Sequence, residues 1–315
     1  MLNQKQLLVK IAEKYYLENK TQSQISKELG IHRTTISRLL KQSREEGIVE
    51  IKINYDTAGN YNIEKKLESA VGLHKAIVVS TSADMTRTQK NILLAQALGK
   101  YLETLLHDNM SIGFSWGETL SAVVNHMPTL NLSNIVCVPM IGGPSGKLTS
   151  DYHVNTITYQ AAKKLKGRAL LIDSPAIPET KLLAKELLKN DFNKELINLW
   201  GNLDVIITGI GSILLNQNKA WQDFYGEAII EMIKKEDVVG DVVSRFYNIE
   251  GDHIESELDE RIIGITLAKL RKCAYRIGVA ESSEKVSAII GALRGRYINV
   301  LVTSDETAKE ILDRL

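Results

Sequence analysis

The residues best suited to do chemistry lie in segment 21–44, TQSQISKELGIHRTTISRLLKQSR. Residues 31–44 contain no Asp or Glu, and basic and hydroxyl side chains recur between their apolar positions. Arg and Lys neutralise phosphates, while Thr, Ser and Arg hydrogen-bond to the edges of bases. This chemistry predicts contact with duplex DNA through Thr21, Gln22, Gln24, His32, Arg33, Thr34, Thr35, Ser37, Arg38, Lys41 and Arg44.

Two short helices joined at Gly30 would carry these side chains. Apolar residues three or four positions apart give each helix one apolar stripe, with Ile25 and Leu29 in the first and Ile36 and Leu39 in the second. Gly30 accepts the positive φ that a sharp turn between helices requires. The pattern predicts a helix-turn-helix whose second helix enters the major groove. The alternative is a small helical hairpin whose basic face is only solvated.

Flanking patterns extend this unit to residues 1–56. The apolar spacing within residues 4–18 predicts a first, supporting helix. Alternating apolar and polar residues in 48–54 predict a short strand, which would form a wing beside the helices. The polar, turn-rich segment 54–61 predicts the boundary to a second domain, residues 57–315.

Ligand chemistry is indicated by GFSWGET, residues 113–119. Its glycines permit a tight turn from a strand into a helix, whose free N–H groups attract a phosphate or another oxygen-rich group. The alternative is a glycine turn that binds nothing. The ligand-binding residues predicted here are Gly113, Phe114, Ser115, Trp116, Gly117 and Thr119.

A second glycine-rich loop, GGPSGK, covers residues 142–147. The adjacent Gly142 and Gly143 allow the backbone to approach a ligand closely. Lys147 can pair with a phosphate or hydrogen-bond to sugar hydroxyls. The GxxxxGK[ST] spacing of a Walker A loop is absent, which argues against nucleotide binding of that kind.

Three charged residues complete the predicted ligand site. Asp241 and Arg245 lie in GDVVSRFYNIEGD, and Arg294 precedes the last apolar run. A basic residue near the end of a strand can close over an anionic ligand. A surface arginine without a ligand is an equally good explanation for each arginine taken alone. TGIGS, residues 208–212, is a third glycine loop after a strand.

The elements that would position these loops begin near residue 73, where short β-branched runs alternate with helical stretches. Such near-continuous apolar strands indicate a mostly parallel sheet covered on both faces, with ligands bound beyond the carboxyl ends of the strands. The predicted fold is α/β, with an N-terminal winged helix-turn-helix of three helices and a wing, followed by a Rossmann-like, mostly parallel domain. The predicted strands cover residues 76–80, 110–114, 134–141, 168–172, 204–208, 275–280 and 298–303.

Composition limits the class of protein. The 315 residues are 44% hydrophobic and 24% charged, as in soluble proteins of two or more domains. Net charge is +1, but residues 1–56 carry ten Lys and Arg against seven Asp and Glu, so attraction to nucleic acid is local to them. Two cysteines in apolar surroundings indicate a reducing compartment. No apolar run approaches the ~18 residues of a membrane span and no signal peptide is evident, so a cytoplasmic protein is expected. Neither a metal nor a cofactor is expected.

Together the motifs resemble those of the SorC/DeoR family of sugar-sensing bacterial transcriptional regulators, over essentially the full length. YHVNTITY and FSWG are similar to the branch that regulates sorbose utilisation operons. The segments that carry the resemblance are TQSQISKELG, TTISRLLKQSREEGIV, IGFSWG, VPMIGGPSGK, YHVNTITY, VIITGIGS, GDVVSRFYNI and GRYINVLVT.

The resemblance implies an effector domain similar to sugar-phosphate isomerases and glucosamine-6-phosphate deaminases, usually assembled as a tetramer. It implies a non-enzymatic regulator of a carbohydrate utilisation operon, whose binding to operator DNA responds to a sugar or sugar phosphate. The implied pocket uses the 113–119 loop, the double glycine and a basic residue at Arg294. Ile141 stands where some relatives carry a basic residue, so the ligand can be a neutral sugar as well as a sugar phosphate.

Two other functions also stay open. A sugar-phosphate isomerase or deaminase with an accessory DNA-binding module would need a carboxylate as general base, for which Glu118, Asp151 and Asp241 are the nearest candidates. In the other alternative, the α/β domain binds no ligand and only assembles the oligomer.

Overall fold

The chain divides into two compact units, residues 1–57 and residues 58–315. The computed structural model describes residues 4–49, 59–144, 146, 149–213, 219–235 and 237–315. Each unit is described by itself. None of the described helices is both long enough and apolar enough to cross a bilayer.

The first unit is a three-helix bundle around one apolar cluster. The cluster holds the fully buried Leu8, Ile11, Ile25 and Ile36. Gly30 has φ +61° between the second and third helices, as the predicted turn requires. The helices of the first unit are α1 (Gln4–Ala12), which continues into a π-helical turn (Glu13–Leu17), α2 (Gln22–Leu29) and α3 (Arg33–Glu45).

Polar contacts cap the start of α2 and join α2 to the residues of the π-helical turn and the loop after it. Thr21 and Gln24 form a capping box, in which the Thr21 N–H donates to Gln24 Oε1 at 2.8 Å and the Gln24 N–H donates to Thr21 Oγ1 at 3.3 Å. Glu28 accepts hydrogen bonds from Lys14 and Lys20, which lower its pKa to about 2. The predicted wing, residues 48–54, lies outside the described residues except for its first two positions.

The second unit is built on a seven-stranded, fully parallel sheet of order β1-β10-β9-β5-β2-β3-β4. All seven strands predicted from the sequence are present; five are shorter than predicted, and β1 and β5 have the predicted length but are shifted by one residue. The sheet consists of β1 (Lys75–Val79), β2 (Ser111–Phe114), β3 (Val136–Pro139), β4 (Arg168–Ala169), β5 (Val205–Gly209), β9 (Tyr275–Val279) and β10 (Val300–Ser304).

The order of the strands reverses between β2 and β5. From β2 the chain proceeds through β3 to β4 on one side, and from β5 through β9 to β10 on the other. Asp204 ties the two central strands together, because its Oδ2 accepts hydrogen bonds from the N–H and the hydroxyl of Ser111, both at 2.8 Å. Such a reversal leaves a crevice beyond the carboxyl ends of the two strands, because their connections run in opposite directions.

Helices cover both faces of the sheet, so its strands are buried and apolar. Both cysteines are buried, and burial raises the pKa of the Cys137 thiol to about 12. The helices are α4 (Tyr61–Val71), α5 (Arg87–Leu105), α6 (Glu118–His126), α7 (Val154–Lys164), α8 (Lys181–Lys189), α9 (Asp191–Leu199), α10 (Lys219–Tyr225), α11 (Glu227–Lys235), α12 (Leu267–Leu270), α13 (Val286–Arg294) and α14 (Asp305–Arg314).

A small antiparallel sheet was not predicted. It consists of β6 (Gly211–Ser212), β7 (Gly240–Val242) and β8 (Arg245–Tyr247). The two-residue turn between β7 and β8 holds Val243 at φ +51° and Ser244 at φ +62°. Asn-Gly or Asp-Gly pairs usually occupy such turns, and a β-branched residue there is strained, so the sequence gives no hairpin signal.

A close approach of two loops requires glycine at position 251. Gly251 has φ +83°, and a Cβ atom there would overlap the backbone nitrogen of Gly295. Gly251→Ala should therefore lower the free energy of unfolding by more than about 3 kcal/mol, measured by urea denaturation. Gly72→Ala is the matched control, because Gly72 has φ +64° but no atom within 4 Å of a Cβ. It should cost about 1 kcal/mol, and equal losses in the two variants would refute the close approach.

Candidate functional site

A cavity of about 500 Å³ opens beyond the carboxyl ends of β2, β5 and β9, at the point where the strand order reverses. Three loops meet there. Residues 115–119 follow β2, residues 209–212 follow β5, and residues 281–285 follow β9. Ligands of open α/β sheets bind at this position, so the cavity is the candidate ligand site of the second unit.

The loop after β2 is anchored from beneath. Ser115 is buried, and its Oγ accepts hydrogen bonds from the Gly209 N–H at 3.2 Å and from the Thr208 hydroxyl at 3.1 Å. Trp116 lies edge-on to Phe224 of α10, with ring centroids 5.0 Å apart. These contacts fix the loop and leave Ser115 and Trp116 at the cavity wall.

The loop then enters α6 through Gly117, which has φ +112°. Glu118 occupies the first turn of α6 and Thr119 follows, both at the cavity wall. The Thr119 hydroxyl donates to Oδ1 of Asn91 at 3.3 Å, and the buried Nδ2 of Asn91 has no partner among the described residues. The start of α6 therefore presents backbone N–H groups and a hydroxyl together with a carboxylate.

Asp241 also lies at the cavity wall. Its Oδ2 accepts the Ser244 N–H at 2.9 Å, and a Cβ atom at Gly211 would overlap its Oδ1. Burial raises the pKa of Asp241 to about 6, against the opposing effects of the Ser244 N–H and the charge of Lys285. Gly211, the second glycine of TGIGS, thus makes room for a buried carboxylate.

Three cations complete the wall. Arg87 Nε lies 3.2 Å from Glu118 Oε2, and Lys90 Nζ lies 3.3 Å from Oε2 of Glu306. Lys285 is half-buried on the third loop, and burial lowers its pKa to about 8. Sequence reasoning missed all three because they follow no recognisable motif.

Five of the predicted ligand residues line the cavity: Ser115, Trp116, Gly117, Thr119 and Asp241. Residues 209–212 of the TGIGS loop also line the cavity.

Gly113 and Phe114 lie beneath the cavity in β2 and do not line it. Glycine is needed at position 113 for packing, because a Cβ atom would overlap the side chains of Leu203 and Met140. Phe114 is fully buried in the apolar core on one face of the sheet.

The double glycine also lies outside this cavity. A Cβ atom at Gly142 would come within 2.5 Å of the Pro175 carbonyl oxygen, and one at Gly143 within 2.6 Å of His153 Nε2. Both glycines therefore allow protein segments to pack closely, where a ligand was expected. Lys147 lies outside the described residues.

The two arginines predicted for the ligand contact protein groups elsewhere. Arg245 is buried, with Nη1 2.6 Å from Oδ1 of Asp259, a carboxylate that also accepts a hydrogen bond from His253. Arg294 donates to the Ile249 carbonyl at 3.3 Å and lies 3.4 Å from Glu250. Neither side chain lines the cavity.

Eight of the eleven predicted DNA-contacting residues lie in or just before α3. His32, Arg33, Thr34, Ser37, Arg38, Lys41 and Arg44 are exposed along α3, and Thr35 is half-buried. Lys41 lies 3.6 Å from Glu45, while Arg33, Arg38 and Arg44 form no ion pair with the described residues. His32 precedes α3 without capping it through its side chain.

The three predicted contacts in α2 differ from this surface. Thr21 and Gln24 are exposed, but their side chains bind each other in the capping box, and Gln22 is half-buried. The box uses Thr21 Oγ1 and Gln24 Oε1, so Gln24 can still approach a phosphate through its side-chain N–H groups, and the helix N-terminus through its backbone N–H groups.

The cavity combines carboxylates, ammonium and guanidinium groups, hydroxyls and one indole ring, which suits a polyhydroxylated ligand. No group of three or more His, Cys, Asp or Glu side chains in the described part of the chain is arranged to hold a metal ion.

The burial of Asp241 predicts a pH dependence of stability. Its folded-state pKa of about 6 lies above the ordinary 3.8, so stability falls as pH rises from about 4 to about 6. Asp241→Asn removes this loss. Between pH 4 and pH 7, the free energy of unfolding of the variant should therefore rise by up to about 3 kcal/mol relative to that of the original chain.

Urea denaturation at pH 4, 5, 6 and 7 measures this difference, with Asp313→Asn as the control for an exposed carboxyl of α14. The account predicts that the free energies of unfolding of the Asp241→Asn variant and the original chain diverge as the pH rises. A difference that stays constant from pH 4 to pH 7 would contradict the burial of this charge.

Comparison with known proteins gives a consistent result. The family model described as "Putative sugar-binding domain" matches residues 55–313. The chain is 44% identical over 307 residues to the sorbitol operon regulator of Klebsiella pneumoniae, covering 97% of each chain. It is 28% identical over 316 residues to the deoxyribonucleoside regulator of Bacillus subtilis, covering 98% of each.

Solved structures give the same result. The full-length sorbitol operon regulator SorC from Klebsiella pneumoniae matches with a TM-score of 0.78 at 43% identity, covering 99% of this chain and 100% of that one. A transcriptional regulator from Streptococcus pneumoniae TIGR4 matches with a TM-score of 0.77 at 31% identity, covering 83% of this chain and 99% of that one. The chain therefore belongs to the SorC/DeoR family of transcriptional regulators that carry a sugar-binding domain.

Proposed function

We propose that this protein is a DNA-binding transcriptional regulator of a carbohydrate utilisation operon, controlled by a sugar or sugar phosphate. One observation carries the proposal: a single chain joins a basic helix surface, whose arginines form no ion pair with the described residues, to a polar cavity at a sheet reversal. The name of the Klebsiella relative, sorbitol operon regulator, supports a hexitol or a sorbose-like sugar as effector.

In this proposal, residues 1–56 form a winged helix-turn-helix that reads operator DNA with α3 in the major groove. The exposed guanidinium groups of Arg33, Arg38 and Arg44 contact phosphates or guanines. Residues 57–315 sense the sugar and assemble the oligomer, which we infer to be a tetramer built as a dimer of dimers. An assembly that carries two DNA-binding domains can bind two operator half-sites about 34 Å apart.

The effector would occupy the cavity beyond β2, β5 and β9. Ser115, Thr119 and Asp241 offer hydrogen bonds to hydroxyl groups, and Trp116 offers an apolar surface for a ring or chain face. Such a protein acts in the cytoplasm, where operator DNA and imported sugar meet, and needs neither a membrane nor a cofactor.

Arg38 tests the assignment of the recognition helix. Arg38→Ala should weaken binding to the chain's own promoter DNA by about 1–3 kcal/mol if the side chain reads a base, measured by fluorescence anisotropy. Lys5→Ala, on the exposed side of α1, is the matched control for a lost positive charge. An Arg38→Ala affinity equal to that of the original chain would rule out Arg38 as a DNA contact.

A second candidate function is a sugar-phosphate isomerase or deaminase. One observation favours it: Asp241 is a buried carboxylate in the cavity whose pKa lies near 6, in the range of a general base. Incubation with ketose and aldose phosphates separates the two functions. Interconversion or ammonia release that disappears in Asp241→Asn would support the enzyme, and no turnover together with binding of DNA would support the regulator.

A further inference from the structure

Asn91 is a buried asparagine of α5 that lies between the cavity and the apolar core. Residues three or four positions apart on a helix share one face, and this face of α5 carries Arg87 and Lys90 at the cavity wall and the fully buried Leu94 in the core. Asn91 lies on the same face between them and is 3% exposed. An apolar side chain would fill this position without the cost of removing an amide from water.

The amide of Asn91 is satisfied at only one end. Its Oδ1 accepts the Thr119 hydroxyl at 3.3 Å, which joins α5 to α6. Four side-chain atoms in the described part of the chain are buried without a hydrogen-bond partner, and Asn91 Nδ2 is the only amide nitrogen among them. A buried donor without a partner lowers the free energy of unfolding. A contact that served stability alone would therefore gain little from an asparagine here.

Asn193 of α9 is a buried asparagine of the opposite kind. It is 4% exposed, and its Nδ2 donates to Ser174 Oγ at 3.0 Å and to the Leu187 carbonyl at 3.3 Å. Both protons of this amide are thus used in joining protein segments. Asn193 does not line the cavity, so its contacts account for its burial without a ligand. The unpaired amide of Asn91 has no such explanation in packing.

The contact with Asn91 determines what Thr119 offers to a ligand. A threonine hydroxyl has one proton to donate and two lone pairs that accept. The Thr119 proton is directed at Asn91 Oδ1, and no other side chain of the described residues forms a hydrogen bond with this hydroxyl. Thr119 lines the cavity, so the lone pairs of its oxygen remain there for a donor group of the ligand.

We propose that Asn91 is a positioning residue of the ligand site, which holds the Thr119 hydroxyl as an acceptor for an O–H or N–H group of the ligand. This inference rests on the proposed function of the cavity. Without Asn91 the hydroxyl rotates freely, and a ligand must fix its orientation on binding, at a cost in affinity. An amide oxygen supplies the acceptor without a buried charge, which a carboxylate would bring, and its unpaired Nδ2 accompanies it.

Isothermal titration calorimetry on the full-length chain tests the inference with D-sorbitol, L-sorbose and the phosphate ester of each. For the probe that binds most tightly, Asn91→Leu and Thr119→Val should each weaken binding by about 3-fold to 10-fold. The double variant should bind no more weakly than Thr119→Val, because Asn91 acts through that hydroxyl. Unchanged affinity in Asn91→Leu, or additive losses in the double variant, overturns the inference alone. Absence of binding of every probe to the original chain overturns the proposed function of the cavity, and the inference with it.

Thermal unfolding of the same variants separates positioning from a structural role. Asn91→Leu should leave the Tm within about 2 °C of the original value or raise it, because the variant removes an unpaired buried donor. Asn193→Leu is the matched control, which leaves Ser174 and the Leu187 carbonyl without their donor. It should lower the Tm by about 4–8 °C and leave the affinity for the probe unchanged. The same pattern in Asn91→Leu, a lowered Tm with unchanged affinity, overturns the positioning role.

Discussion

The second unit depends on one constraint, the pairing of β2 with β5 at the centre of a parallel sheet. Each strand begins a series of parallel crossovers, and the two series run in opposite directions. The loops that leave the two strands therefore diverge and open a crevice between them. The loops after β2 and β5 that line the candidate site are positioned by this reversal.

A second constraint is electrostatic, because the crevice holds charges that water would otherwise solvate. Asp241 is accommodated only because Gly211 lacks a side chain and because the strained Val243–Ser244 turn directs an N–H at its carboxylate. Strained backbone also occurs at Ser282, with φ +118°, on the loop that carries Lys285. Concentration of strain around one cavity is typical of a site that holds its groups in place before a ligand arrives.

The sequence was sufficient where function follows from local pattern. The helix-turn-helix was predicted from apolar spacing and Gly30, and all seven strands of the main sheet from β-branched runs. Residues 115–117 and 119 of the GFSWGET loop line the cavity, and a glycine turn between a strand and a helix has a local signature; their binding of a ligand stays a prediction.

Residues that meet only in the folded chain could not be predicted in this way. Arg87 and Lys285 are separated by nearly 200 positions, and only the order of the strands brings their loops together. The double glycine looked like a ligand loop because a local pattern cannot distinguish a close approach by a ligand from one by Pro175 and His153. The buried ion pair of Arg245 could not be predicted for a related reason, because its partner Asp259 lies in an irregular segment without a motif.

The central claim is that DNA and a sugar bind to one molecule and influence each other. Its most direct test measures the affinity of the full-length chain for its promoter DNA with and without saturating sugar, and the affinity for the same sugar with and without DNA. Linkage requires both ratios to be equal, and a coupling of about 5-fold to 150-fold is expected. A sugar that binds the chain but leaves the affinity for DNA unchanged would contradict the account.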